Sequence, residues 1–431
     1  MDIQISRAEL VRTLAATQDL VCPVVAGHGK RVAIFSSLIA EALGYTTKER
    51  ERLMLAAELH DIGCFTLSIT EMKDLHAFDV LAPEKHCAVG YILLSQSALF
   101  KDITNTILHH HVHWDATKGF DIEGNPIPLD AYIIHLADRI DISITNKHQI
   151  LTEMKRIIKT ITELSGTLFC PKVVRAFEDA SARDAFWLHG VHSEYSTVGL
   201  QDTGEMLSTP QLLELVDILT LAIDYKSRFT STHSSGVAAS AVELGKLAGF
   251  KDTLHLQLAG QLHDLGKLIV PNEILEKNGP LTDEERAVIE THPFYTFSML
   301  NQAKGLRDIA RTASFHQDKL NGRGYPFRPV PEEYDIPARI LAISDIFTAL
   351  TEDRPYRAGL DESSVLGIMR KMTDELHLDP AIFALVESNY NHLNAVRHAA
   401  QIEAGNRYEE FWRETAAIME HIHPVHRHPD N

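Results

Sequence analysis

Hydrophobic positions recur at three- and four-residue spacing almost throughout this chain. The face carrying Ala33, Ile34, Leu38 and Ala42 is one example. That spacing places apolar side chains on one stripe of a helix. No convincing run alternates in the manner of a strand, so the chain reads as all-α. An amphipathic helix is expected within residues 1–22. His28 opens a second, which Gly44 ends after Leu43. Thr47 reads as the cap of a third, over Lys48–Leu59. Further helices end at His109-His110-His111 and carry Leu136-Ala137-Asp138-Arg139, and residues 142–190 look helical too. The stretch 193–210 is rich in Ser, Thr and Gly and marks a boundary, with Thr209-Pro210 opening the next helix. An apolar run from Leu254 to Leu265 contains His263-Asp264, and residues 378–421 extend the second half. Two domains follow, 1–200 and 201–431.

The polar positions within this pattern repeat. His28, His60-Asp61, His86, His110 and Asp138 correspond to His233, His263-Asp264, His292, His316 and Asp345. The offsets are 205, 203, 206, 206 and 207 residues (233 − 28 for the first). So constant an offset means duplication of one helical domain. The period is far above the 20–50 residues of array repeats.

Composition narrows the setting. The formal charge of −18 argues against binding duplex DNA or an anionic membrane. It leaves room for a small anionic substrate, held by local positive charge. No apolar stretch approaches the roughly 20 residues of a membrane helix. The N-terminus, Met1-Asp-Ile-Gln-Ile-Ser-Arg, has no signal-peptide pattern. The four cysteines, Cys22, Cys64, Cys87 and Cys170, show no paired metal spacing and suit a reducing compartment. A soluble cytoplasmic protein is expected. The 24 histidines are many for 431 residues and point to metal.

A histidine followed at once by an aspartate is uncomfortable on an apolar face. A lone pair of this kind is more often a buried histidine held by its neighbour. Here further histidines and aspartates accompany each pair, which suggests a metal cage drawn from several helices. Imidazole with carboxylate suits iron, manganese or nickel, and a thiolate set for structural zinc is absent. An aspartate next to a ligating histidine can bridge two ions. Two divalent ions about 3.5–4 Å apart acidify water and clamp a phosphoryl oxygen. The expected cofactor is therefore two divalent transition-metal ions per site.

The motif H…HD…D, in His233, His263-Asp264 and Asp345, resembles the HD-type phosphohydrolases. Asn321-Gly322-Arg323-Gly324-Tyr325-Pro326 and Asp353-Arg354-Pro355-Tyr356-Arg357 add a resemblance to the HD-GYP family of bacterial cyclic-dinucleotide phosphodiesterases, over about residues 225–390. The resemblance implies two tandem HD-type helical bundles, the second of HD-GYP type. It implies metal ligation by His233, His263, Asp264, His292, His316 and Asp345, with Asp264 bridging. Lys267 would sit over a substrate phosphate, with Arg323 and Tyr325 on the loop facing the ligand. Arg354 and Arg357 would hold phosphate or base. Glycines in that loop permit close approach to a ligand, and arginine forks suit phosphate. Two departures stand out: Gln317 replaces a second adjacent histidine, and Phe229 replaces a glutamate of three-metal members. Both argue for two metals rather than three.

The first half resembles a plain HD phosphohydrolase, a class that includes nucleotidases. Its ligand set is fuller: His28, His60, Asp61, His86, His110, His111 and Asp138. Its substrate apparatus is not, since Cys64 stands where the lysine would be and Gly-Tyr-Pro is missing. A decayed copy kept for dimerisation or regulation is the alternative, and a homodimer stays open. The expected activity is hydrolysis of 3′3′-cyclic GMP-AMP or cyclic di-GMP to a linear 5′-phosphorylated dinucleotide, with a 5′-nucleotidase step in the first half. The competing reading is a sensor that binds the cyclic dinucleotide without cleaving it.

Overall fold

The computed structural model describes residues 3–21, 27–67, 71, 77–78, 83–193, 196, 198–199, 204–226, 232–330, 332–353 and 358–422. Among the described residues β pairing is limited to three isolated bridges, and everything regular is helix. None of these helices is long and apolar enough to cross a membrane.

Contacts divide the chain into two compact units. The first comprises Leu14–Glu205 with Phe411–Asn431, the second Met1–Thr13 with Met206–Glu410. The residue pattern suggests one cut near 200; packing instead assigns each terminus to the unit formed by the other half. Ile5, Leu10 and Val11 show why, because they are buried in the second unit. Apolar burial is indifferent to position along the chain.

In the first unit the helices His28–Ala42 and Leu129–Ser143 pack on each other, and Thr47–Glu58 packs against the first of them. Val32, Ala33, Ile34, Phe35, Ile39 and Ala40 are fully buried, and with His28, Arg31, Ser36 and Ser37 also buried the helix His28–Ala42 is enclosed nearly all round. Such a helix belongs in a bundle's middle. Phe35 meets the rings of Phe186 and Trp187 at 5.2 and 6.4 Å. The Thr47–Glu58 helix is capped by Thr46, one residue earlier than its pattern suggests. Thr46 Oγ1 accepts from Glu49 N at 3.3 Å and Glu49 returns the bond to Thr46 N at 2.8 Å. In the second unit His233–Leu247 occupies the equivalent place, packed on Thr253–Leu262 and Ile336–Thr351.

The glycine of each His-Asp-x-Gly motif has a steric cause. A Cβ on Gly266 would lie 1.9 Å from the His292 carbonyl oxygen, and one on Gly63 would lie 2.0 Å from that of His86. Only glycine lets the turn after the aspartate come this close to the helix bearing the next histidine.

Candidate metal centres

Every candidate histidine sits at or near a helix end, and that placement aims its ring. The last carbonyls of a helix have no partner within it. In the second unit, His263 Nδ1–H donates to Gly260 O at 2.8 Å, His292 Nδ1–H to Ile289 O at 2.7 Å, and His316 Nδ1–H to Ala313 O at 2.7 Å. His60 and His110 repeat the pattern on Ala57 O and Ile107 O, at 2.8 and 2.6 Å. A carbonyl can only accept, so in each ring Nδ1 carries a hydrogen and Nε2 is the atom turned toward the carboxylates.

These Nε2 atoms converge on the carboxylates. In the second unit His263 Nε2 is 3.3 Å from Asp264 Oδ2, while His292 Nε2 and His316 Nε2 are 3.4 and 3.9 Å from Asp264 Oδ1. Asp345 Oδ1 is 3.1 Å from His233 Nε2 and 4.0 Å from His263 Nε2. Asp264 thus faces three histidines with its two oxygens. Two ligand atoms at right angles on one ion, each about 2.1 Å away, lie roughly 3 Å apart.

The fit to a cation shows most clearly where lone pairs meet. His292 Nε2 and His316 Nε2 are 3.0 Å apart. Burial drives the two imidazoles down to about 3 and about 4, so both are neutral and both point acceptors at one spot. Buried His263 Nε2 and Asp264 Oδ1 make no hydrogen bond. Neighbouring acceptors of this kind are costly unless a positive charge lies between them. Burial raises the Asp264 carboxyl, but His263 and Lys267 outweigh it and hold the group well below the usual range. His233 differs. Burial opposes its protonation, yet Glu352 and Asp345 push it up to about 10.

The first unit builds the same figure. Asp61 lies 3.2 Å from His60 Nε2, 3.5 Å from His86 Nε2 and 3.7 Å from His110 Nε2. His86 Nε2 and His110 Nε2 are 3.2 Å apart. Asp138 Oδ1 is 3.2 Å from His28 Nε2, and Asp138 Oδ2 is 3.9 Å from His111 Nδ1. Two ligand groups could each hold an ion here, Asp61 with His86, His110 and His111, and His28 with His60 and Asp138. In the second unit the corresponding groups are His263 with Asp264 and His316, and His233 with His263 and Asp345.

The substrate side differs between units. Lys267 Nζ pairs with Asp264 Oδ2 at 2.6 Å at the mouth of the second site. Cys64, in its place, lines a cavity of about 70 Å³ that reaches the first cluster, together with Gln18, Lys30, Phe65 and Arg139. Gln317 does not offer a free amide oxygen. Its Nε2 donates to Asp345 Oδ2 at 3.3 Å and its Oε1 accepts from Tyr325 Oη at 3.2 Å, which ties the Gly-Tyr-Pro loop to a candidate ligand. Gly324 is required in that loop, since a Cβ would fall 2.4 Å from Asp318 Cα. Arg323 is exposed on it. Arg354, Arg357 and Phe229 lie outside the described residues.

The sequence reading missed Asp141 and Glu352, which hold the outer nitrogens of His28 and His233, at 2.7 and 3.1 Å. Asp141 falls one turn after Asp138 on the same helix, a legible signal. It also missed buried His135, whose ring lies 5.9 Å from that of His111.

Comparison with known proteins agrees with this duplication. Family profiles described as HD domain match residues 25–143 and 217–382. The chain is a tandem HD-domain protein. Its relatives include 3′3′-cGAMP-specific phosphodiesterase 1 of Vibrio cholerae, 29% identical over 84% of this chain and 86% of that protein. A cyclic di-GMP phosphodiesterase of Pseudomonas aeruginosa is 33% identical over 40% of this chain and 41% of that protein. The solved structure of a cyclic GMP-AMP-specific phosphodiesterase from V. cholerae shares the fold, with a TM-score of 0.61 and 23% identity over 90% of this chain and 98% of that one.

Proposed function

We propose that this tandem HD-domain protein is a metal-dependent phosphodiesterase that opens a cyclic dinucleotide at its second unit. The observation that carries this reading is the meeting of neutral His292 and His316 lone pairs beside ionised Asp264. The named activities of the relatives supply the substrate class, 3′3′-cyclic GMP-AMP or cyclic di-GMP. Divalent ions, with iron, manganese and nickel matching the donor set, supply Lewis acidity and an acidified water. His233, His263, Asp264, His292, His316 and Asp345 would hold them. Lys267 neutralises a non-bridging phosphate oxygen from the mouth of the site. Burial raises the Tyr325 phenol above its ordinary value, so it remains a hydrogen-bond donor at neutral pH. Arg323, Arg354 and Arg357 would meet phosphate or base. Cleavage of one 3′–5′ diester leaves a linear dinucleotide with a 5′-phosphate.

The first unit is assigned the following step, removal of that terminal phosphate. Its fuller histidine set and the cavity beside it support this reading.

Product analysis on manganese-loaded full-length protein tests both steps. His263→Ala should abolish ring opening, and His60→Ala should let the linear 5′-phosphorylated dinucleotide accumulate. Tight binding of the ring without turnover under manganese, iron or nickel would establish the sensor reading instead. Phosphate release unchanged in His60→Ala would remove the first unit's role.

A further inference from the structure

The two units support their first histidine with residues from different places. In the first unit His28 Nδ1 bonds Asp141 Oδ2 at 2.7 Å, and Arg31 braces Asp141 with Nε at 2.6 Å and Nη2 at 2.9 Å. Arg31 lies on the same helix as His28, one turn on. In the second unit the position one turn after His233 is Gly236, at the same 205-residue offset. The residue three after Asp345, matching Asp141, is Thr348. Neither residue of the Arg31–Asp141 pair has its chemical equivalent at the matching position.

Other residues complete the support. The Glu352 carboxylate lies 3.1 and 3.2 Å from His233 Nδ1. Gln401 Nε2 donates to Glu352 Oε2 at 2.9 Å. Arg397 in turn donates to Gln401 Oε1 and, through Nε and Nη2, to Asn394 Oδ1 at 3.0 and 2.8 Å. Gln401 and Arg397 are both buried. Gly236 makes the room: a Cβ there would lie 3.0 Å from the Gln401 side chain. Gln401 thus packs against the position that matches Arg31 of the first unit. It comes from the helix Pro380–His421, beyond the HD domain match that ends at residue 382.

We propose that Glu352, Gln401 and Gly236 form a positioning set for His233, so that the second unit's metal affinity depends on a segment outside its HD domain. The set orients the imidazole with Nε2 toward Asp345, and none of its members needs to touch substrate. Outer partners of a ligating histidine typically change metal affinity ten- to a hundredfold when removed. The inference rests on the metal-site reading given under the proposed function.

The test is manganese titration of the metal-free full-length protein, followed by electron paramagnetic resonance of free manganese. Glu352→Gln preserves shape, Gln401→Ala removes the brace, and Gly236→Ala displaces it. Each should weaken the second unit's ions ten- to a hundredfold while the first unit's ions stay in place as an internal reference. Asp141→Asn should do the reverse. Gly236→Ala combined with Gln401→Ala should cost no more than either alone, because both act through one side chain. A thermal unfolding midpoint of the metal-free variants within a few degrees of the parent separates positioning from loss of fold. Manganese affinity within twofold of the parent in both Glu352→Gln and Gln401→Ala overturns the inference and leaves the phosphodiesterase reading intact. A parent that holds no manganese in its second unit overturns both.

Discussion

At the scale of single residues, the candidate centres are read from lone pairs. Five histidines spend Nδ1 on a nearby helix-end carbonyl and keep Nε2 for the centre. Burial holds several rings neutral, His86 and His292 at about 3 and His316 at about 4. Outside the ligand set, burial likewise takes His135 to about 3. An unfolded histidine titrates near 6.5. Between about pH 6.5 and 4 the unfolded chain therefore binds protons that the folded chain refuses, and stability falls as pH falls. The depressed carboxyls of Asp264 and Asp345 extend the loss below the ordinary carboxylate range near 3.8. His28 and His233, pushed up to about 10 by their carboxylate partners, act oppositely only above about pH 6.5, so the metal-free protein should show a thermal midpoint that drops steadily from pH 6.5 to pH 4.5 in buffers of equal ionic strength. A flat profile over that range would mean these rings are not buried neutral. The aspartates and histidines were legible in the sequence because the repeat marked them. Gln317 was legible as a departure, but its engagement with Asp345 and Tyr325 was not, since hydrogen-bond partners eight and twenty-eight residues apart leave no periodic trace.

At the scale of elements, the helix ends carry the design. The His-Asp-x-Gly turn follows the helix Thr253–Leu262 directly, and its glycine sets the distance to the helix His292–Leu300. Gly266→Ala should force these apart. Overpacking of this kind costs about 1–3 kcal/mol, and the displaced His292 should cost the second unit its metal as well. Gly367→Ala is the control. It lies inside the helix Glu362–Asp374, where a Cβ would meet nothing within 4 Å. Alanine there should stabilise by up to about 1 kcal/mol. Denaturant unfolding with metal analysis checks both, and equal effects from the two substitutions would defeat the steric account. Helix existence was legible throughout from spacing. Boundaries slipped by a residue where a cap competed, as at Thr46, because two neighbouring threonines offer the same side chain and only the chain's turn selects one.

At the scale of the whole molecule, the duplication and the chain's path part company. The N-terminal residues Met1–Thr13 belong to the unit built by the second half. Ile5 and Leu10 are fully buried there and Val11 nearly so. Full burial of such side chains stabilises by about 1.5–3 kcal/mol each. Removing residues 2–13 should therefore cost the second unit on the order of 5 kcal/mol, comparable to the whole stability of a small domain. Limited proteolysis should then find the second unit opened and its manganese lost, with the first unit's ions retained. Retention of both sets of ions would show that the N-terminus contributes little there.

The sequence by itself determined the helical class, the duplicated domain and the candidate donor residues, because periodicity and a constant offset survive in one dimension. Tertiary structure alone decided which carboxylate braces which histidine, that a residue beyond the HD domain match packs against the position matching Arg31, and that the termini pack with the opposite halves. The reason is physical: burial and hydrogen bonding act on distance in space, and a helix brings together residues far apart in the chain without marking either of them in the pattern.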